Sequence, residues 1–154
     1  MESMWDIALD NSSLEELTPP DEIVSIQCAY LTEATNGKII AKISQFRYHT
    51  EPGDDEFHFE FYLTSKLMPN YKFSIMRISH KIPYYPLTIA CDDDIIEEIE
   101  DNKYRILTCN DEKHFISVLS KIINSNKINN VINSLYSIVR SHERRNGLDD
   151  VSSF

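Results

Sequence analysis

The segment that most constrains this chain is Phe57-His58-Phe59-Glu60-Phe61-Tyr62, in which three phenylalanines alternate with other residues. A period of two sends successive side chains to opposite sides of an extended backbone, so the segment reads as a half-buried strand. Phe57, Phe59 and Phe61 point one way; His58, Glu60 and Tyr62 point to an outer face. Four more strands fit around it. Ile39, Ala41 and Ile43 alternate with Lys42 and Ser44; Tyr71, Phe73 and Ile75 begin another strand, with Met76 and Ile78 on its second face. Tyr85, Leu87, Ile89 and Cys91 form a fourth, and residues Tyr104 to Thr108 a fifth. The stretch Glu51-Pro52-Gly53-Asp54-Asp55 is turn material. Short turn-like connections favour antiparallel pairing over crossovers.

Helices are expected on either side of these strands. Thr18 can cap the first, Pro19 suits its opening position and Asp21 sits where a capping box wants an acid. Its apolar stripe is Ile23, Val24, Cys28, Tyr30, Leu31 and Ala34, and Asn36-Gly37 supplies a left-handed stop. Asn110 can cap a second helix with the stripe Phe115, Val118, Leu119 and Ile122. Asn124-Ser125-Asn126 interrupts, and Ile128, Val131, Ile132, Leu135 and Val139 continue the pattern in a third. The expected architecture is an α+β domain over residues 18–140: an N-terminal helix, a five-stranded mostly antiparallel sheet, and two C-terminal helices packed on one sheet face. Residues 1–17, with Trp5, Ile7 and Leu9 in alternation, read as an arm, and the polar stretch 141–154 as a flexible tail. The expected core is Phe59, Phe61, Phe73, Ile75, Leu87, Ile89, Ile106, Phe115, Leu119 and Ile122.

The chain has 154 residues and a net charge of −10, from 25 acids against 15 bases. That field repels phosphate backbones and anionic lipid and speeds encounter with basic partners, so neither nucleic acid nor membrane is an expected partner. The opening Met1-Glu2-Ser3-Met4-Trp5-Asp6 has no basic and no apolar region of a signal peptide, and nothing approaches a membrane span. A soluble, cytoplasmic protein is expected.

Signatures of chemistry are sparse. Gly37, Gly53 and Gly147 lie too far apart for a phosphate loop or a dinucleotide fingerprint. Cys28, Cys91 and Cys109 form no CxxC pair and fall in apolar patterns, where a thiol acts as a small hydrophobe. His58-Phe59-Glu60 matches the H-x-E fragment of zinc deaminases without its P-C-x-x-C partner, and the five histidines show no metal spacing. No cofactor and no metal are expected, and the chain reads as a non-enzyme.

Asp92, Asp93, Asp94, Glu97, Glu98, Glu100 and Asp101 place seven acids in ten residues without a base. Such a run is a docking surface for a basic protein, a solvated connection between strands, or a hard-cation site lacking the EF-hand order. Ile95, Ile96 and Ile99 lie among the acids at helix-like spacing, so a short amphipathic turn would anchor them and hold the carboxylates outward. Arg77, His80 and Tyr85 are a second candidate, for a small-ligand pocket near a strand end.

A set of local features resembles a group of small bacterial α+β proteins with no assigned activity. The features are Thr18-Pro19 with Ile23, Gln27 and Leu31; Thr35-Asn36-Gly37; Phe61-Tyr62-Leu63; Tyr71-Lys72-Phe73; Arg77-Ile78-Ser79-His80 before Tyr85-Pro86; and the Phe115 helix with Ser134-Leu135. The resemblance implies a compact bacterial domain and carries no site residue across. The functional expectation is a small acidic interaction protein, such as an immunity-type or inhibitor protein binding a basic bacterial effector. A ligand-binding or enzymatic domain with a pocket near His80, or a structural homo-oligomer subunit, is the alternative.

Overall fold

A computed structural model describes Met4 and residues 18–46, 55–100 and 106–152. Helix α1 spans Pro20–Ala34, followed by strands β1 (Ile40–Phe46), β2 (Phe57–Ser65), β3 (Met68–His80) and β4 (Leu87–Cys91). Helix α2 (Asp93–Glu100) leads into β5 (Ile106–Cys109), and α3 (Glu112–Ile123) and α4 (Asn126–Ser152) follow. The strands form one antiparallel meander in the order β1-β2-β3-β4-β5. The α+β architecture read from the sequence is thus the observed one. The arm with Trp5, Ile7 and Leu9, the turn before Asp55 and the residues Tyr104 and Arg105 lie outside the described residues.

All helices contribute to a single core on one side of the sheet. Ile23, Val24 and Cys28 of α1, Ile95 of α2, Phe115, Val118, Leu119 and Ile122 of α3, and Ile128, Leu135 and Val139 of α4 join one buried cluster with the sheet residues. The stripes of α3 and α4 are those their 3.6-residue periods select. Beyond Val139, α4 continues as helix across the polar stretch to Ser152. No helix among the described residues is long and apolar enough to cross a membrane.

Helix boundaries differ from expectation by one residue in two places. Pro19 occupies the N-cap of α1 and Pro20 the first helical position, with no side-chain cap, so Thr18 does not cap. In α3 the cap is Asp111, whose Oδ1 accepts from the His114 N–H at 2.7 Å, rather than Asn110. The stop of α1 is as expected: Asn36 and Gly37 take φ of 53° and 76°, and the Gly37 N–H donates to the Thr32 carbonyl. Tyr30, expected in the buried stripe, is 63% exposed.

Two strands expose the limit of alternation. The β2–β3 register steps from Phe61↔Met76 to Tyr62↔Ser74, leaving Ile75 as an extra residue on β3. That bulge puts Ile75, Met76 and Ile78 all in the core, although the sequence assigns Met76 and Ile78 to the opposite face. On β5 the expected core residue Ile106 is 59% exposed, while Leu107 and Cys109 are buried. The pairing explains it: Leu107 and Cys109 sit opposite Ile89 and Leu87, the inward residues of β4, whereas Ile106 sits opposite the outward Ala90. Phe73 is half-buried against the core, and the other eight expected core residues are buried.

Phe115, fully enclosed, ties α3 to the sheet. Phe115→Ala should lower the unfolding free energy by about 3–5 kcal/mol in a denaturant titration. Leu107→Ala should cost about 2–5 kcal/mol by the same mechanism. Ile106→Thr should stay within about 0.5 kcal/mol of wild type, and equal losses at 106 and 107 would contradict the β5 register.

Candidate functional site

The acidic run folds as α2. Its first turn is closed by the Asp92 carbonyl, which accepts from the Ile95 and Ile96 N–H groups at 3.1 Å each. Asp93 and Asp94 occupy the opening turn, where carboxylates are favoured by the helix dipole. Ile95 and Ile96 are buried and Ile99 packs at the edge of the core, so one arc of this short helix is anchored. Asp92, Asp93, Asp94, Glu97 and Glu98 are exposed. Glu100 ends the helix, and Asp101 lies outside the described residues.

Two of these acids also have structural work. Both oxygens of Glu98 accept from the Asn126 N–H, at 2.8 and 2.9 Å, placing a carboxylate on the N-terminus of α4. Ser125 completes that cap, its Oγ accepting from the Ile128 N–H at 3.3 Å. Asp94 pairs with Lys127 at 3.6 Å, one residue further along. Asp92, Asp93 and Glu97 make up the rest of the exposed acidic surface. Asp92, Asp93 and Asp94 line a shallow depression with Cys91 and Lys127. Burial, with Asp92 and Asp93 adding to it, pushes the Cys91 thiol up to about 11, so it stays protonated at neutral pH. Burial does the same to Cys28, also to about 11. Among the described residues no group of three or more His, Cys, Asp or Glu side chains is arranged to hold a metal ion.

Arg77, His80 and Tyr85 occupy three different environments. Arg77 stands on the sheet face away from the helices, opposite Glu60, with its guanidinium 5.5 Å from the Phe46 ring centroid. His80 faces the other side, stacked 5.4 Å from Phe57 and 5.8 Å from Phe59, with Tyr84 edge-on at 5.5 Å. Its Nδ1–H donates to the Lys81 carbonyl at 2.8 Å, and its buried Nε2 meets no hydrogen-bond partner among the described residues. Tyr85 packs against the core with its hydroxyl buried, and burial, then Glu112, Cys109 and Asp111, push it up to about 12. Arg77 and His80, three residues apart on one strand, therefore cannot converge on one ligand.

The helix-free sheet face holds a cluster that alternation alone does not reveal. Glu60 is 6% exposed although it lies on the face that no described helix covers. Lys72 forms an ion pair with it, Arg77 lies 3.6 Å away, and Ser74 hydrogen-bonds it. Lys72 also lies 5.0 Å from the Tyr62 ring centroid, so the two cations and two aromatic rings roof the carboxylate. Next to it His58, likewise buried, shares a 2.9 Å hydrogen bond with Ser79. Burial raises the Glu60 carboxyl, but the hydrogen bonds from Lys72 and Ser74 and the charges of Lys72 and Arg77 outweigh it and hold the group below its ordinary value of 4.5.

No protein-family model, curated protein or solved structure matches the chain.

Two measurements test these assignments. Because the folded-state Glu60 is the stronger acid, its contribution to stability is complete above about pH 4.5 and is lost as pH falls below that. Glu60→Gln should lower stability at neutral pH and flatten the acid limb of the stability–pH curve, whereas an unchanged limb would remove Glu60 from the account. Glu98→Gln should cost about 0.5–2 kcal/mol through the α4 cap, against about 0.5 or less for Glu97→Gln.

Proposed function

We propose that this chain is a small interaction protein that binds a basic protein through the acidic face of α2. It would act in the manner of an immunity-type or inhibitor protein neutralising a basic bacterial effector. The observation that carries the reading is the anchoring of α2: Ile95 and Ile96 are buried while Asp92, Asp93 and Glu97 are exposed beside them. A carboxylate surface held on a fixed helix loses little conformational freedom on binding, which distinguishes it from a solvated connection. The charge of −10 adds long-range attraction for a cationic surface, and that attraction acts chiefly on association rate. The pocket alternative draws no support from residues that point to opposite sides of the sheet.

The test is a comparison of two baits. Wild-type protein and an Asp92→Asn, Asp93→Asn, Glu97→Gln variant are used at low salt to capture proteins from cells of the source organism. The expected result is a protein with a basic surface that wild type retains, that salt releases, and that the variant loses. With that partner purified, stopped-flow mixing should show association slowed at least several-fold in the variant, with a weaker salt dependence. The far-ultraviolet circular dichroism should stay that of wild type, since Glu98 and Asp94, which hold α4, are left in place. A partner that binds both baits equally fast at low salt would end the proposal.

A further inference from the structure

Lys127 lines the depression beside Asp92, Asp93 and Asp94, and it also lines an apolar groove between the start of β3 and the first turns of α4. Met68 and Tyr71 form one wall of that groove, and Val131, Ser134, Leu135 and Ile138 form the other. It holds about 340 Å³, within the range of roughly 300–1,000 Å³ usual for binding pockets. Leu135 is buried, whereas Tyr71 and Ile138 are 38% and 46% exposed. Apart from Lys127, no charged side chain among the described residues lines it. Lys127 is matched by Asp94 at 3.6 Å, so the junction between groove and carboxylates is no cationic barrier. Acidic surface and apolar groove therefore adjoin. Apolar side chains left in water along such a groove are what a fitting partner would cover.

We propose that the occupant is an amphipathic helix of the basic partner, with its apolar face in this groove and lysine or arginine residues at one end over Asp92 and Asp93. The inference rests on α2 being the docking face, and it adds the surface that holds the partner after arrival. Charge selects the occupant first. A wholly apolar segment would leave the carboxylates without a counterpart, and a uniformly basic one would set cations along an uncharged groove. Surface texture selects a helix. Val131, Leu135 and Ile138 recur on α4 at intervals of four and three, with the small Ser134 among them, which is the ridge-and-groove pattern that a second helix meshes with. Met68 on the facing wall has the flexible side chain that adapts to such a partner. Length fits as well: from Lys127 to Ile138 the wall runs about 16 Å, or three turns of a helix laid alongside. The carboxylates would then govern how fast the partner arrives, and the apolar wall how long it stays.

Two fluorescein-labelled peptides of about 18 residues, long enough for five helical turns, test this by anisotropy with the full-length chain. In the first, leucines recur at intervals of three and four and lysines cluster at one end. The second has the same composition in scrambled order, so charge is equal and no apolar face forms. The wild-type protein should bind the patterned peptide at least about ten-fold more tightly. A Tyr71→Thr, Ile138→Gln variant, with the far-ultraviolet circular dichroism of wild type, should lose that preference and bind the scrambled peptide as before. The Asp92→Asn, Asp93→Asn, Glu97→Gln variant should bind both peptides more weakly. Equal binding of the two peptides by wild type, with both lost in the acidic variant, would overturn the groove and leave the α2 reading standing. A preference that survives Tyr71→Thr, Ile138→Gln would place the apolar face elsewhere and overturn it too. Patterned-peptide binding that ignores the acidic substitutions would overturn both, and binding of neither peptide would overturn the groove.

Discussion

Between Phe61↔Met76 and Tyr62↔Ser74 the β2–β3 ladder gains one residue, Ile75, and most of the molecule depends on that step. A bulge shifts the parity of everything beyond it on its strand. With the step, Phe73 and Ile75 on one side of it and Met76, Ile78 and His80 on the other all face the helices, so β3 presents a continuous apolar surface to α1 and α3. Without it, Arg77 and Ser79 would point into that layer. An unpaired guanidinium there would carry a desolvation penalty of several kcal/mol. The same step sets Arg77 opposite Glu60, and so makes the roofed carboxylate on the other face possible. One inserted residue thus assigns both the core and the polar cluster behind it.

The acidic helix depends on a different junction. Glu97 and Glu98 fall toward the C-terminal end of α2, where carboxylates oppose the helix dipole. Glu98 offsets this by meeting the N-terminus of α4, where the dipole has the opposite sign and the Asn126 N–H has no partner within its own helix. Lys127 in the same turn receives Asp94. A helix of eight residues is too short to be stable alone, so α2 exists through its isoleucines on the core and these two ties.

These dependences explain what could and could not be read from residue order. Periodicity sufficed for the meander and for the stripes of α3 and α4, because each needs only local spacing. It misplaced Ile106 because Ile106-Leu107 offers two adjacent apolar residues in a four-residue strand, and only pairing with β4 decides between them. It missed the Glu60 cluster for a related reason. From the turn pairing of Ser65 with Met68, an uninterrupted hairpin would set Glu60 opposite Phe73, whereas the two register shifts set it opposite Arg77. The double role of Glu98 was equally hidden, since its partner is 28 residues away and belongs to the backbone. Ile95 and Ile96 within the acidic run were legible, because amphipathic spacing survives even in a segment so dominated by one charge.

Charge is also distributed with a direction. On the helix-free sheet face Lys72 and Arg77 pair with Glu60, and Glu56 stands 3.7 Å from the His58 ring, so carboxylate and cation are largely matched there. The carboxylates of α2 belong to the helical layer on the other side of the sheet, because Ile95 packs into the common core. In the proposed reading, a basic protein meets exposed carboxylates on the α2 side and a carboxylate already paired with cations on the other, so attraction is directed toward α2. At physiological salt, charges more than about 8 Å apart are largely screened. Orientation then rests on the local cluster of Asp92, Asp93 and Glu97 more than on the total charge. In the proposed reading this is what the burial of Ile95 and Ile96 provides: carboxylates held at a fixed place relative to the fold, so that attraction carries positional information.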